Sequence, residues 1–151
     1  MKEGDPIPAA TVTGADGNPV DLATIAGPVV FYFYPRDDTS GCTREAQDFT
    51  GSAAAFAAAG VRVIGISPDS PASHAKFTAK HGLAVELASD PDTVAAQAFG
   101  VWGEKKLYGR TYMGIERATF LFGGDGRLVR AWRKVRVPGH VEAVLTVARA
   151  L

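Results

Sequence analysis

Val29-Val30-Phe31-Tyr32-Phe33 is a run of β-branched and aromatic residues bracketed by Pro28 and Pro35. Both of its alternating faces are apolar, so as a strand it has no side to show to water. That pattern predicts a central strand covered on both sides, and hence a sheet with helices packed on each face.

The neighbouring segments supply such a framework. Ala10 to Thr13 and Pro19 to Leu22 flank Ala15-Asp16-Gly17-Asn18 and predict an N-terminal β-hairpin. Val61 to Ile66 and Ala84 to Ala88 predict two more strands, and Ala118 to Phe122 with Arg127 to Trp132 predict a hairpin around Gly123-Gly124-Asp125-Gly126. Helices are expected at Cys42 to Ala59, ending at Gly60, and at Pro71 to His81, entered from Ser70 and stopped by Gly82. Two more are expected at Asp92 to Phe99, before Gly100, and at Pro138 to Leu151, where Val141, Val144, Leu145 and Ala148 form one stripe. The order hairpin, β, α, β, α, β, α, hairpin, α implies a mixed central sheet with helices on both faces, within one domain of residues 1–151. Gly103 to Gly114 has no clear period and predicts a long loop of functional interest.

Composition narrows the function classes. Sixteen basic residues balance sixteen acidic ones, which removes the electrostatic argument for nucleic acid or anionic lipid as a partner. The longest apolar runs, Val29 to Tyr34 and Ala53 to Ala59, fall far short of the roughly 18–20 residues of a membrane helix. The opening Met-Lys-Glu-Gly-Asp-Pro lacks the apolar core of a signal peptide, so a cytoplasmic protein without a membrane partner is expected. The basic run Arg127, Arg130, Arg133, Lys134 and Arg136 reads as a solvated sheet edge. His74, His81 and His140 form no metal pair: the first two stand about two helical turns apart, roughly 10 Å. No metal or cofactor is therefore expected.

The chain has one cysteine, Cys42, so it can close no internal disulfide. The residue follows the Val29–Phe33 strand through a short loop and falls in the first turn of the next helix, at the strand end where open α/β sheets form ligand sites. Unpaired backbone N–H groups and the helix macrodipole favour a thiolate there. An ordinary thiol of pKa about 8.5 is ~3% ionised at pH 7, and a pKa near 6 makes that ~90%. The gain is about 30-fold, roughly 2 kcal/mol, so fast chemistry at Cys42 also needs a stabilised leaving group. Spacing alone leaves open a Cys–His dyad with His140.

Pro35-x-x-x-Thr39-x-x-Cys42 resembles the active-site signature of the peroxiredoxins. The longer string Phe33 to Ala46, the segment Tyr112 to Leu121, Gly100 to Lys105 and Pro138 to Val141 resemble the bacterioferritin comigratory, or Q-type, branch, with Ala118 where that branch commonly has serine. The resemblance spans essentially the whole chain and implies a thioredoxin-like fold. It implies a peroxidatic Cys42 that attacks the O–O bond of a hydroperoxide and becomes a sulfenic acid. Thr39 would hydrogen-bond thiolate and peroxide, Arg117 would place positive charge on both, and Pro35 would shield the pocket. Trp102, Tyr112 and Met113 are candidates for an apolar entrance, with core packing the alternative for Trp102. Glu45 is expected to be an exposed carboxylate of the first turn, with orientation of Arg44 or Arg117 the alternative, and Thr39 also suits a helix N-cap.

One departure carries weight. Many Q-type members have a resolving cysteine five residues after the first, where this chain has Gln47. The reducing thiol must come from outside: glutathione, a glutaredoxin, thioredoxin, or Cys42 of a second copy, in a monomer or weak homodimer. Besides a one-cysteine peroxidase, a thiol–disulfide oxidoreductase and a non-enzymatic redox sensor remain open, the former weakened by the absence of Cys-x-x-Cys.

Overall fold

The structure, a computed structural model, describes residues 1–151. Its strands are β1 (Thr11–Thr13), β2 (Pro19–Asp21), β3 (Val29–Phe33), β4 (Arg62–Ser67), β5 (Glu86–Ser89), β6 (Trp102–Leu107), β7 (Arg110–Ile115), β8 (Ala118–Phe122) and β9 (Leu128–Trp132). Its helices are α1 (Ser40–Gly51), α2 (Ala53–Ala58), α3 (Pro71–His81), α4 (Val94–Ala98) and α5 (His140–Arg149).

Seven strands form one mixed sheet in the order β2-β1-β5-β4-β3-β8-β9. Strand β3 lies within it, parallel to β4 and antiparallel to β8, and all five of its residues are buried. Alternation divides the core. Val29, Phe31 and Phe33 join Phe99, Phe120 and Phe122 on one face, which α4 covers. Val30, Tyr32 and Tyr34 join Phe49, Phe56, Phe77 and Val144 on the other, which α1, α2, α3 and α5 cover. Helices therefore lie on both faces, and the N-terminal hairpin joins the sheet at β5 through a single pair, Thr13 with Ser89.

Residues 4 to 7 sit at the opposite edge. Gly4 N–H donates to the Leu128 carbonyl at 2.8 Å, Leu128 N–H donates to Asp5 at 2.8 Å, and Ile7 N–H donates to Gly126 at 3.2 Å. The chain then crosses the α4 face of the sheet, burying Ile7, Ala10 and Val12 on the way to β1.

Three expectations change. Gly103 to Gly114 is not a loop: β6 and β7 pair from Trp102–Ile115 to Leu107–Arg110 as a separate two-stranded ribbon. Both faces of the ribbon carry charge or stand in solvent, so no hydrophobic alternation marked it. The predicted Cys42–Ala59 helix starts earlier, at Ser40, and divides at Ser52, whose N–H closes α1 onto Asp48 and Phe49; Gly51 and Ser52 are weak helix formers. Helix α4 is shorter than predicted because the Asp90 carboxylate fixes its start, accepting from Ala95 N at 3.1 Å and Ala96 N at 2.9 Å.

Tyr32 fits only because β4 carries Gly65 beside it. A Cβ on Gly65 would lie 2.5 Å from the Tyr32 ring and 2.9 Å from Leu87. Gly65→Ala should therefore destabilise the protein by about 1–3 kcal/mol through overpacking, read as a lower urea midpoint with an unchanged slope.

Candidate active site

The β3–β8 register brings the site together. Phe33 pairs with Ala118, so Arg117 arrives at the end of β3 just where the chain leaves for α1. Its backbone is held there: the Arg117 carbonyl accepts from Val135 N–H at 3.0 Å, and neighbouring Glu116 N–H donates to Val101 at 2.8 Å. The Glu116 carboxylate accepts from Arg133 at 2.7 and 3.1 Å and from Lys134 N–H at 3.1 Å. Arg133, read from sequence as part of a solvated edge, thus braces the residue beside Arg117.

Cys42 is the third residue of α1 and is buried. Arg117 Nη2 donates to its Sγ at 3.2 Å, and Arg117 Nη1 donates to Glu45 Oε1 at 2.6 Å. Cys42 and Glu45 are three residues apart, on one face of the helix, so a single guanidinium spans both. Gly41 makes room for it, since a Cβ there would sit 3.2 Å from Nη2. Glu45 corrects the sequence expectation of an exposed carboxylate: it is wholly buried, and its Oε2 has no hydrogen-bond partner. Burial pushes its pKa up to about 7, with Arg117 pulling against the rise. Burial opposes the Arg117 charge as well, but Glu45 and Cys42 outweigh it and hold the guanidinium above its usual range.

Thr39 occupies the N-cap position without capping through its side chain. Its hydroxyl donates instead to the Arg36 carbonyl at 3.1 Å, while its own carbonyl accepts from Thr43 N–H at 2.8 Å. Pro35 is half-buried at the head of the same loop. The three entrance candidates do not share one surface. Strand alternation puts Tyr112 opposite Lys105 on one face of the ribbon, and Met113 opposite Glu104 with Trp102 on the other. Trp102 packs against the apolar cluster on the α4 face, whereas Tyr112 and Met113 are exposed. Lys105, which sequence reasoning missed, is half-buried on the Tyr112 face of the ribbon: burial and Arg117 lower its pKa while Cys42 pulls it up.

The Cys–His dyad does not form. His140 is buried with its Nε2 2.8 Å from the Thr119 hydroxyl, and Arg117 is the partner of Cys42. Burial and the nearby Arg117 push His140 down to about 4. The one group with metal-like spacing is Asp37, Asp69 and His74, whose ligand atoms lie within 4.8 Å of one another. Those atoms already hydrogen-bond within the protein. Asp37 Oδ2 accepts from Ser73 at 2.8 Å and lies 2.7 Å from His74 Nδ1, and Asp69 Oδ2 accepts from Ser67 at 2.7 Å. The group reads as a polar network that fastens the loop to α3.

The AhpC/TSA family matches residues 4–131. Among curated proteins, the chain is 45% identical to peroxiredoxin Bcp of Xanthomonas campestris over 149 residues, 95% of this chain and 93% of the relative. It is 46% identical to peroxiredoxin Bcp of Bacillus subtilis over 143 residues, 94% and 91% of the two chains. Among solved structures, the Xanthomonas campestris bacterioferritin comigratory protein, studied for alkyl peroxide reduction, superposes with a TM-score of 0.86 at 43% identity, covering 93% of this chain and 90% of that one. A PrxQ mutant of Xylella fastidiosa superposes at 0.91 with 37% identity, covering 99% and 96%.

The two perturbed groups near Arg117 act on stability with opposite signs. His140 falls from 6.5 to about 4 on folding, so the unfolded chain holds the extra proton and stability rises with pH across that interval. Glu45 rises from 4.5 to about 7, so the folded chain holds the proton and stability falls as pH rises. Between pH 5 and 6.5 the two should largely cancel. Glu45→Gln should expose a stability that climbs with pH, and His140→Asn one that declines, each by up to about 1.4 kcal/mol per pH unit. Urea denaturation at several pH values reads the slopes, and parallel slopes in all three proteins would contradict the assignment.

Proposed function

The chain belongs to the AhpC/TSA family of peroxiredoxins, and on that premise we propose that it is a thiol-dependent peroxidase working through one cysteine. Its substrates are hydrogen peroxide and organic hydroperoxides, the latter supported by the alkyl peroxide reduction studied in the Xanthomonas relative. The observation that carries the residue assignment is the Arg117 guanidinium at 3.2 Å from Cys42 Sγ, held from behind by buried Glu45.

In the first half-reaction the Cys42 thiolate attacks the terminal oxygen of the hydroperoxide. An S–O bond forms and the O–O bond breaks. The departing alkoxide or hydroxide takes a proton and leaves as alcohol or water, and the sulfur becomes a sulfenic acid. Negative charge moves from sulfur to the leaving oxygen along this path. A fixed guanidinium beside the sulfur stabilises that charge without reorganising, and its planar fork holds its direction while one nitrogen stays on Glu45. The Thr39 hydroxyl aligns the peroxide, and Pro35, with no N–H to hydrate, shields the loop side. Trp102, Tyr112 and Met113 no longer serve as one rim; Tyr112, on the Lys105 face, is the candidate retained.

In the second half-reaction an external thiol attacks the sulfenic acid, forms a mixed disulfide and releases water. A second thiol then frees Cys42 and leaves as the disulfide. Glutathione, a glutaredoxin or thioredoxin supplies these thiols, and we assign the cytoplasm because turnover of a lone cysteine needs a reducing compartment. No metal or cofactor enters either step.

Stopped-flow oxidation of the reduced protein, followed by re-reduction with a panel of thiols, tests this reading. Cys42→Ser should lose peroxide consumption altogether. Arg117→Ala should slow sulfur oxidation by more than the roughly 30-fold that a loss of thiolate alone can cause, because the residue also meets the leaving oxygen. A loss fully accounted for by the thiolate fraction would remove Arg117 from the leaving-group role.

Gln47 supplies a second test. Five helical positions separate it from Cys42 by about 7.5 Å of rise and 140° of rotation, whereas a disulfide needs Cα atoms within about 7 Å and converging Cβ vectors. Cys42 is buried and Gln47 exposed, and Arg117 ties the first turn of α1, through Cys42, to Glu45 in the second. In Gln47→Cys the introduced thiol should therefore stay reduced after one equivalent of peroxide, while excess peroxide carries Cys42 to the sulfinic acid, read by intact mass. Prompt loss of both thiols would show that the turn unwinds.

A further inference from the structure

The Thr39 hydroxyl owes its direction to one peptide group. It donates to the Arg36 carbonyl at 3.1 Å, and that carbonyl belongs to the same planar unit as the Asp37 N–H. Rotating the plane moves both ends at once. The N–H end is pinned: Asp37 N donates to Asp69 Oδ2 at 2.7 Å. Asp69 is itself fixed, because Oδ2 also accepts from Ser67 Oγ at 2.7 Å and Asp69 N–H donates back to that Oγ at 3.2 Å. Ser67 is the last residue of β4, fully buried, and its carbonyl accepts from Asp90 N–H at 2.8 Å. A line of hydrogen bonds thus runs from the end of β4 to the loop that carries Thr39.

We propose that Asp69 is a positioning residue for Thr39, acting through the Arg36–Asp37 peptide plane. This rests on the peroxidase reading, and assigns to it a residue that touches neither Cys42 nor Arg117.

The flanking contacts fix the two residues that follow the plane and leave the plane itself to be held. The Asp37 side chain accepts from the Tyr34 hydroxyl at 2.6 Å and the Ser73 hydroxyl at 2.8 Å, and it lies against His74, so the residue after the plane cannot turn. Asp38 has φ +58 and is tied to the far end of α3 by Lys80 at 2.6 Å and His81 at 2.9 Å. With both following residues fixed, Asp69 is the remaining hold on the plane itself. Without it the N–H has lost its partner in a half-buried site, and the plane gains by turning toward water. The Arg36 carbonyl then leaves Thr39, and the hydroxyl loses its fixed direction.

The test is a cycle of substitutions read by stopped-flow oxidation of Cys42. Asp69→Ala should slow oxidation about tenfold. Asp69→Asn keeps an oxygen that accepts from the Asp37 N–H and should stay within about threefold of the parent. Thr39→Val removes the hydroxyl that the plane orients, so adding Asp69→Ala to it should cause no further loss. A tenfold loss from Asp69→Ala both in the parent and on top of Thr39→Val would mean a general disturbance of the site and overturn the proposal. An unchanged rate in Asp69→Ala alone would overturn it as well. Hydrogen exchange of the Asp37 amide, followed by NMR, reads the hold without any peroxide. Protection should drop at least tenfold in Asp69→Ala and persist in Asp69→Asn, and equal protection in both would refute the pinned plane. If the parent protein ignored every hydroperoxide, the peroxidase reading would fail while the exchange measurement still decided whether Asp69 holds the plane.

Discussion

Arg117 shares one guanidinium between a buried carboxylate and a buried sulfur, and the surrounding structure is arranged to make that sharing possible. Taking the two charges of an ion pair out of water costs several kcal/mol each, and their attraction recovers this only when geometry is good. Here the geometry comes from three independent sources. The β3–β8 register sets where the arginine enters, the helical repeat over the first two turns of α1 sets the spacing of Cys42 and Glu45, and Gly41 removes the side chain that would block the approach. The pair is incompletely satisfied, since Glu45 Oε2 is left without a partner. A buried polar atom without a protein partner is common where a fold keeps charge in place for chemistry.

What the sequence disclosed follows from how locally each feature is encoded. Val29–Phe33 was legible to the residue because both of its faces are buried and prolines flank it. The α3 boundaries were legible because Ser70 accepts from Ser73 N–H at the start and Gly82 adopts φ +60 at the end, each a requirement of the adjoining backbone. Cys42 stood out as the lone thiol at a predicted helix start, whereas Arg117 was named only through the family resemblance, because spacing cannot join residues 75 positions apart.

The misses are of the opposite kind. Glu45 looks like any helix-start carboxylate until the strand that delivers Arg117 is in place. The β6–β7 ribbon has no buried face along most of its length, so Glu104, Lys105 and Lys106 read as loop. Arg133 was absorbed into a run of edge cations because its partner Glu116 lies 17 residues earlier, on the opposite arm of the β8–β9 hairpin. Asp69 could not be singled out, since its bond to the Asp37 N–H runs through a backbone group that carries no residue identity.

The strap across the α4 face of the sheet has a consequence for the timing of biosynthesis. Its hydrogen bonds join residues 4 to 7 to residues 126 to 128, a separation that spans nearly the whole sheet. During vectorial synthesis those partners do not coexist until residue 128 has emerged from the ribosome. Residues 4 to 7 therefore meet these partners only after every strand up to β8 has been translated, and they secure the sheet edge after the loop that carries Thr39 and the helix that carries Cys42 have been made.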